Sequence, residues 1–302
     1  MPQPPPDPAA SFRKQLSRGA RDRGEDFQLT LQRYAVERLL FRLDRSLYRD
    51  RFVLKGAMLY VVWGGKTYRP TRDLDLLGYG APSAEVVVAC FRTLCSLEVE
   101  DDGLQFLPDS VRVEEIREET EYGGIRAHVK ALLGKARIDL QVDIGFGDVV
   151  VPEPVEVDFP TLLGGPAPRI RAYSPESVIA EKLHAAAVLG DANSRMKDFY
   201  DLFNLSRLFS FEGLALTKAI EATFKRRGTP LPALFPISSA FFEQDTHARQ
   251  WRGYLTKTGL AAAPQNFTAV GEALREFLLE PYDALIAENN FSTSWMPGGP
   301  WR

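Results

Sequence analysis

Residues 51–77 read RFVLKGAMLYVVWGGKTYRPTRDLDLL, and the fold turns on them. An apolar run, Phe52-Val53-Leu54, stops at Lys55-Gly56. A helix-like stretch, AMLYVVW, follows and breaks at Gly64-Gly65. A polar, hairpin-like segment then delivers Asp73-Leu74-Asp75 into Leu76-Leu77. Side chains on a strand alternate faces, so Asp73 and Asp75 point one way while Leu74 and Leu76 point into a core. Two neighbouring carboxylates repel unless a cation lies between them. The simplest such cation is Mg²⁺, which takes a few carboxylates together with substrate phosphates.

Outward from that stretch, the chain reads as a soluble globular protein. It has 302 residues, 45% hydrophobic and 25% charged, enough for one large or two ordinary domains. The formal charge of −3 does not announce a nucleic-acid binder, so any steering of a polyanion falls to local basic patches. Cys90 and Cys95 share one apolar helix-like segment at an offset that does not stack them. They read as reduced core thiols of a cytoplasmic protein. No apolar run reaches the roughly 18 residues of a membrane span. The start, MPQPPPDPAA, has no apolar core and reads as a disordered tail rather than a signal peptide.

Residues 11–24 are basic and suit a short helix. Residues 26–47 read as a long helix with Phe27, Leu31, Tyr34, Leu39 and Leu43 on one side and polar residues on the other. A helix over 82–97 starts at Pro82-Ser83. DDGLQF reads as a turn. Strands over 111–118, 125–133 and 136–146, separated by Gly123-Gly124 and Gly134-Lys135, predict an antiparallel meander. Proline and glycine cluster from Pro152 to Pro168, the best candidate for a boundary. Beyond it the period changes from 2 to 3.6. Helices are predicted over 174–190, 196–209, 215–228, around 238–256 and over 270–289, with FSTSWMPGGPWR as a terminal loop. The first of these has Ser174 as N-cap, Pro175 in the first turn and Gly190 as its stop.

Three constellations carry chemistry. Gly56, Asp73 and Asp75 form the first, and ARIDLQVDIGF adds Asp139, Gln141 and Asp143 on one strand face. A carboxylate from that strand, Asp139 or Asp143, can complete a metal triad with the Asp-x-Asp pair. Gly56 lets backbone N–H groups approach a phosphate at a helix N-terminus. The plainer alternative is a solvated strand face and an ordinary turn. Lys182 is the second. It emerges from apolar neighbours Ala180, Leu183 and Ala186, and can either neutralise charge on a departing pyrophosphate or simply snorkel. The third is Asp198 and Asp201, which share a helix face and can hold Lys182 or a substrate group, or merely favour the helix N-terminus.

These blocks, in this order, resemble the AbiEii/AbiGii toxin nucleotidyltransferases, including the mycobacterial MenT toxins. FVLKGAMLYVVWGGKTYRPTRDLDL is similar to that family's FxLKGG, helix and Ser/Thr-x-Asp-x-Asp signature. QVDIGFGD resembles the strand bearing its third carboxylate, SPESVIAEKLHAAAVLGDANSRMKDFYDLF its AEKL block, and YAVERLLFRLDRS its leading helix. The match covers about residues 26–205. The resemblance implies an α+β fold: a DNA-polymerase-β-like nucleotidyltransferase core over 25–160 and a helical C-terminal lobe over 161–302, preceded by a partly disordered tail over 1–24. It implies Mg²⁺-dependent transfer of a nucleoside monophosphate from a nucleoside triphosphate to the 3′ end of tRNA, which blocks aminoacylation. By position, Asp73 and Asp75 match the metal pair, Asp143 the third acid, Lys182 the phosphate-contacting lysine and Asp198 the last catalytic acid. Gly56 and Ala57 match the nucleotide-binding turn. Thr71 matches a hydroxyl phosphorylated by some partner antitoxins, others of which repress expression; as a residue it reads equally as part of a turn. The chain departs from the family at Ala57, where a second glycine or a serine is usual, so no hydroxyl is available there to grip phosphate. That departure, with the mildly acidic charge, motivates the alternative of a nucleotide- or partner-binding module without transfer activity; within enzymes, the acceptor can instead be a protein hydroxyl or a small molecule. Lys225-Arg226-Arg227 and the arginines at 13–23 are candidate contacts for tRNA phosphates, or solvated faces.

Overall fold

A computed structural model describes residues 8–64, 69–116, 123–260 and 263–302. The chain divides into two units, Met1–Gly147 with Val155–Ala172 and Asp148–Pro154 with Tyr173–Arg302. Parts of the expected tail, of the hairpin-like segment before Asp73 and of the strand expected over 111–118 lie outside the described residues.

The first unit is a mixed sheet with helices. Helix α1 spans Pro8–Arg23, taking up most of the stretch expected as tail, and α2 spans Phe27–Asp44. Strand β1 is Phe52–Lys55, α3 is Leu59–Gly64, β2 is Asp73–Gly78 and α4 is Ala84–Ser96. The meander comes next as β3 (Leu104–Ile116), β4 (Gly124–Leu133) and β5 (Ala136–Phe146). Strand β3 begins earlier than expected, because Leu104 and Phe106 of the anticipated turn alternate inward. Two short strands, β6 (Val155–Asp158) and β7 (Arg169–Ala172), close the unit.

The strand order is β3-β4-β5-β2-β1-β7-β6. Pairs β2–β5 and β1–β7 are parallel and the others antiparallel. The change from sheet to helices therefore falls at Tyr173 and not near 160: β7 hydrogen-bonds to β1 and keeps the intervening segment with the sheet. Buried Leu74, Leu76, Leu140, Val142 and Ile144 form the apolar face, and α2 and α4 pack on the sheet.

Local signals set the helix starts. Asp26 accepts the Leu29 N–H at α2, and Ser83 accepts the Val86 N–H at α4. Helix α2 lacks the polar side its sequence predicts, since Glu37, Arg38 and Arg42 are all buried. Arg38 and Arg42 stand one turn apart and both grip the buried Asp102 carboxylate, at 3.0 and 2.7 Å, tying α2 to the head of β3. Glu37 accepts the Leu162 N–H at 2.8 Å. Buried charges are tolerated only when paired in this way. Cys90 and Cys95 are free, and burial pushes both thiols up to about 12, the behaviour of inert core residues.

The second unit is helical. It comprises α5 (Pro175–Leu189), α6 (Met196–Leu208), strand β8 (Phe211–Glu212) and α7 (Gly213–Arg226). After these come α8 (Ser239–Glu243), α9 (Asp245–Thr258), α10 (Phe267–Ile286) and strand β9 (Ser294–Trp295). The helix expected around 238–256 is two helices, parted at Gln244, whose backbone is extended. Phe199 anchors an aromatic core with ring centroids 5.1 Å from Phe241 and 5.6 Å from both Phe242 and Phe267. The C-terminal segment is not a loose loop. Trp295 and Trp301 are buried, and their indole N–H groups donate to the Ser206 and Phe277 carbonyls at 2.7 and 2.8 Å. Burying two indoles explains why a Gly/Pro-rich segment packs down here.

Candidate functional site

On the sheet face opposite the apolar residues, the strand register assembles a charged row. Lys55 of β1 pairs with Asp75 of β2, Asp75 with Asp143 of β5, Asp143 with Arg126 of β4, and Arg126 with Glu114 of β3. Asp73 lies on the same face in the next row, opposite Gln141. Directly opposed residues share a face, so two adjacent carboxylates are bracketed by two cations. Lys55, Asp73, Asp75, Arg126 and Asp143 are all half-buried, which strengthens their mutual fields relative to water.

Arg126 grips Asp143 bidentately, with Nε and Nη2 each 2.8 Å from a carboxylate oxygen. The Gln141 amide adds contacts at 3.2 and 3.3 Å. The Asp143 hydrogen bond holds the Arg126 guanidinium even more firmly protonated than usual. Asp139, the alternative third acid, is exposed and stands 4.0 Å from Lys130, four residues nearer the β4–β5 turn. Of the two, Asp143 is the one beside Asp75.

This arrangement bears on the anticipated metal ligands. Asp73 and Asp75 offer hard oxygen donors on one face, the chemistry Mg²⁺ prefers, and one or two carboxylates suffice for that ion when phosphates supply the rest. Asp143 reaches the row, but Arg126 and Gln141 hold its oxygens. Among the described residues no set of three acids is disposed to hold a metal ion. The pair fits the ion; the triad is not assembled as expected, because an arginine already neutralises its third member.

Gly56 has a φ of +71°, and a Cβ built on it would sit 2.6 Å from Cγ and 2.7 Å from Cβ of Asp75. The turn therefore exists to admit the Asp75 side chain against bare backbone. It continues as a single 3₁₀ turn, Gly56–Met58, before the six-residue α3. Gly56 thus does not open the long helix whose N-terminus a phosphate would exploit. The Ala57 methyl is buried. Thr71 is half-buried just before β2, its hydroxyl 3.5 Å from the Asp73 carbonyl.

In the second unit, Lys182 of α5 bridges Asp198 at 2.7 Å and Asp201 at 2.9 Å, both on α6. Side-chain exposures of 15%, 11% and 2% make this a largely dry cluster. Two residues along α5, buried His184 faces Arg227 through Nδ1 at 3.3 Å and Thr229 through Nε2 at 2.9 Å. Arg227 donates to Asp148 at 2.9 Å. Arg227 can only donate, so this network assigns Nδ1 as acceptor and Nε2–H as donor. Burial, aided by Arg227, lowers the His184 pKa to about 4. A buried neutral histidine must charge in acid. Its stabilising effect is complete above the unfolded value near 6.5 and is lost as pH falls toward 4. Denaturant melts at pH 4.5 should show this unit about 2 kcal/mol weaker than at pH 7 from His184 alone, and His184→Gln should remove that part of the loss.

Sequence reasoning missed Lys55 and Arg126 as members of the row. A signal for Arg126 was present. The turn Gly134-Lys135 pairs Leu133 with Ala136, and seven steps outward on each strand pair Arg126 with Asp143.

The family model described as nucleotidyl transferase AbiEii toxin, type IV toxin–antitoxin system, matches residues 38–278. Among solved structures, JHP933 from Helicobacter pylori is similar at 14% identity and a TM-score of 0.50, over 87% of this chain and 95% of that one. A candidate nucleotidyltransferase from H. pylori is similar at 14% identity and a TM-score of 0.51, over 87% and 99%. At that identity they speak for the fold alone. A comparison with curated proteins finds no match.

Proposed function

The chain belongs to the AbiEii nucleotidyl transferase toxin family of type IV toxin–antitoxin systems, and from that premise we propose that it transfers a nucleoside monophosphate from a nucleoside triphosphate to RNA. The proposed acceptor is the 3′ end of tRNA, whose extension stops aminoacylation and translation in the cytoplasm. No helix among the described residues is long and apolar enough to cross a membrane. The observation that carries the reading is the row Lys55–Asp75–Asp143–Arg126 with Asp73 on the same face.

In this reading Asp73 and Asp75 hold Mg²⁺, which when bound offsets negative charge on the triphosphate and the attacking oxygen. Gly56 leaves room for the Asp75 carboxylate to stay in place. Lys55 and Arg126 flank the acids and offset their negative charge. Lys182 serves the departing pyrophosphate, and Asp198 orients its ammonium group. The 3′ hydroxyl oxygen bonds to the α-phosphorus, the α–β bridging bond breaks, pyrophosphate leaves and the hydroxyl proton passes to solvent. The cognate antitoxin acts through Thr71 or through expression. A phosphate on Thr71, two residues from Asp73, adds up to about two negative charges beside the acids and opposes triphosphate entry.

The test is incubation with each labelled nucleoside triphosphate, Mg²⁺ and total tRNA. Label is expected in tRNA with at least one triphosphate, absent in EDTA and absent for Asp73→Asn. Label that enters no RNA with any triphosphate overturns the reading, and label entering protein instead favours a protein hydroxyl as acceptor.

A further inference from the structure

The chain is acidic overall, so a polyanionic acceptor is repelled on average and needs a local cationic hold. The first unit contains a groove that can supply one. It measures about 430 Å³ and runs between α1 and the β4–β5 turn, lined by Arg13, Lys14 and Ser17 on one side and Lys135 on the other. Among the described residues no acid lines it. Helix α1 turns Ala9, Leu16 and Ala20 inward, which leaves Arg13 and Lys14 exposed. Lys135 stands exposed at the turn, with Arg137 exposed two residues on. Among the described residues Arg13, Lys14, Lys135 and Arg137 form no ion pair. By contrast, Arg18 and Arg23 on the same helix pair with Asp22 and Glu25.

We propose that this groove holds the phosphate backbone of the RNA acceptor, away from its reacting end. The proposal rests on the reading that the acceptor is RNA. Position supports it. Lys135 is eight residues along β5 from Asp143, which at ~3.4 Å per residue is roughly 27 Å. A structured RNA whose 3′ end lies at the acids has a stem long enough to cover that span, and a few-nucleotide strand has not. Chemistry supports it too. Long flexible cations and a hydroxyl around an open groove suit phosphate oxygens.

The test measures binding without nucleotide. A labelled RNA hairpin with a single-stranded 3′ tail is titrated with wild-type protein and with Arg13→Ala/Lys14→Ala/Lys135→Ala across a series of KCl concentrations. All three positions are exposed, so melting is expected to stay unchanged. Each lost phosphate contact lowers the slope of log affinity against log salt by about 0.7–0.9. The triple variant should lose about two to three from that slope and bind at least about tenfold more weakly at 0.1 M salt. Transfer to a four-nucleotide strand should be equal for both proteins. An unchanged slope and affinity overturn the groove, as does a wild-type protein that does not bind the hairpin. Poly-glutamate of matched charge competing as well as RNA overturns it in favour of an acidic protein. Loss of hairpin binding by the variant, with no label transferred by the wild type, supports the groove while sinking the transfer reading. Transfer with an unaltered salt slope does the reverse.

Discussion

Gly56→Ala is expected to lower transfer by on the order of 10²-fold and to cost the sheet unit about 2–5 kcal/mol. Two terms add. An L-residue at a φ of +71° is strained by roughly 1–2 kcal/mol. The new methyl also lands 2.7 Å from Cβ of Asp75, an atom that side-chain rotation cannot move. Asp75 is fixed by pairing with Lys55 on one side and Asp143 on the other, so relief requires a strand shift. A displacement of about 1 Å at a reacting centre is enough for a loss on the order of 10²-fold.

The control is Gly164→Ala in the same unit. Gly164 has a similar φ of +73°, but nothing lies within 4 Å of its Cβ position. It should show the backbone cost alone, about 1–2 kcal/mol, and leave transfer intact. The difference between the two variants isolates the contact with Asp75. Equal urea midpoints for the two, or full transfer by Gly56→Ala, contradicts the claim that this turn is built around the carboxylate.

The contrast shows which features the sequence made legible. Caps and alternation are local, and they marked Ser83, Ser174 and the strands β4 and β5 with near-correct bounds, while β3 starts seven residues before its expected 111. The faces of β2 and β5 came from period 2 alone, so the acids could be placed on one side without coordinates. A triad shared by Asp73, Asp75 and an acid of β5 requires β2 and β5 to be neighbours, but their register is beyond the reach of sequence. Parallel strands have no tight turn to fix their offset, and the match of Asp75 to Asp143 depends on packing distant parts of the chain. The same non-locality hid β7, whose four residues directly follow the Pro/Gly-rich stretch and pair with β1 and β6. The burial of Arg38 and Arg42 was also hidden, since a polar position on a helix looks solvated until a partner such as Asp102 arrives from elsewhere. Arg126 is the instructive case: the hairpin turn specified its partner, and only the count was lacking.

Lys182→Met is expected to destabilise the helical unit and to end transfer. The ammonium bridges two carboxylates, and Asp201 keeps only 2% side-chain exposure. Removing the cation leaves that charge dry and short of a partner, a loss of about 3–5 kcal/mol. The melting midpoint should then fall by on the order of 10 °C. Intrinsic fluorescence reports it, because three of the four tryptophans, Trp251, Trp295 and Trp301, lie in this unit. Stability and chemistry are separated by adding Asp201→Asn, which removes the stranded charge but keeps Asp198. The double variant should recover a large part of the lost stability, since neutralising both members of a buried pair costs less than breaking it. Under the proposed function transfer should nevertheless stay absent, since that reading assigns the pyrophosphate-contacting cation to position 182. Activity that returns in step with stability would reduce Lys182 to a strut between α5 and α6, and the phosphate-contacting role would have to pass to another residue.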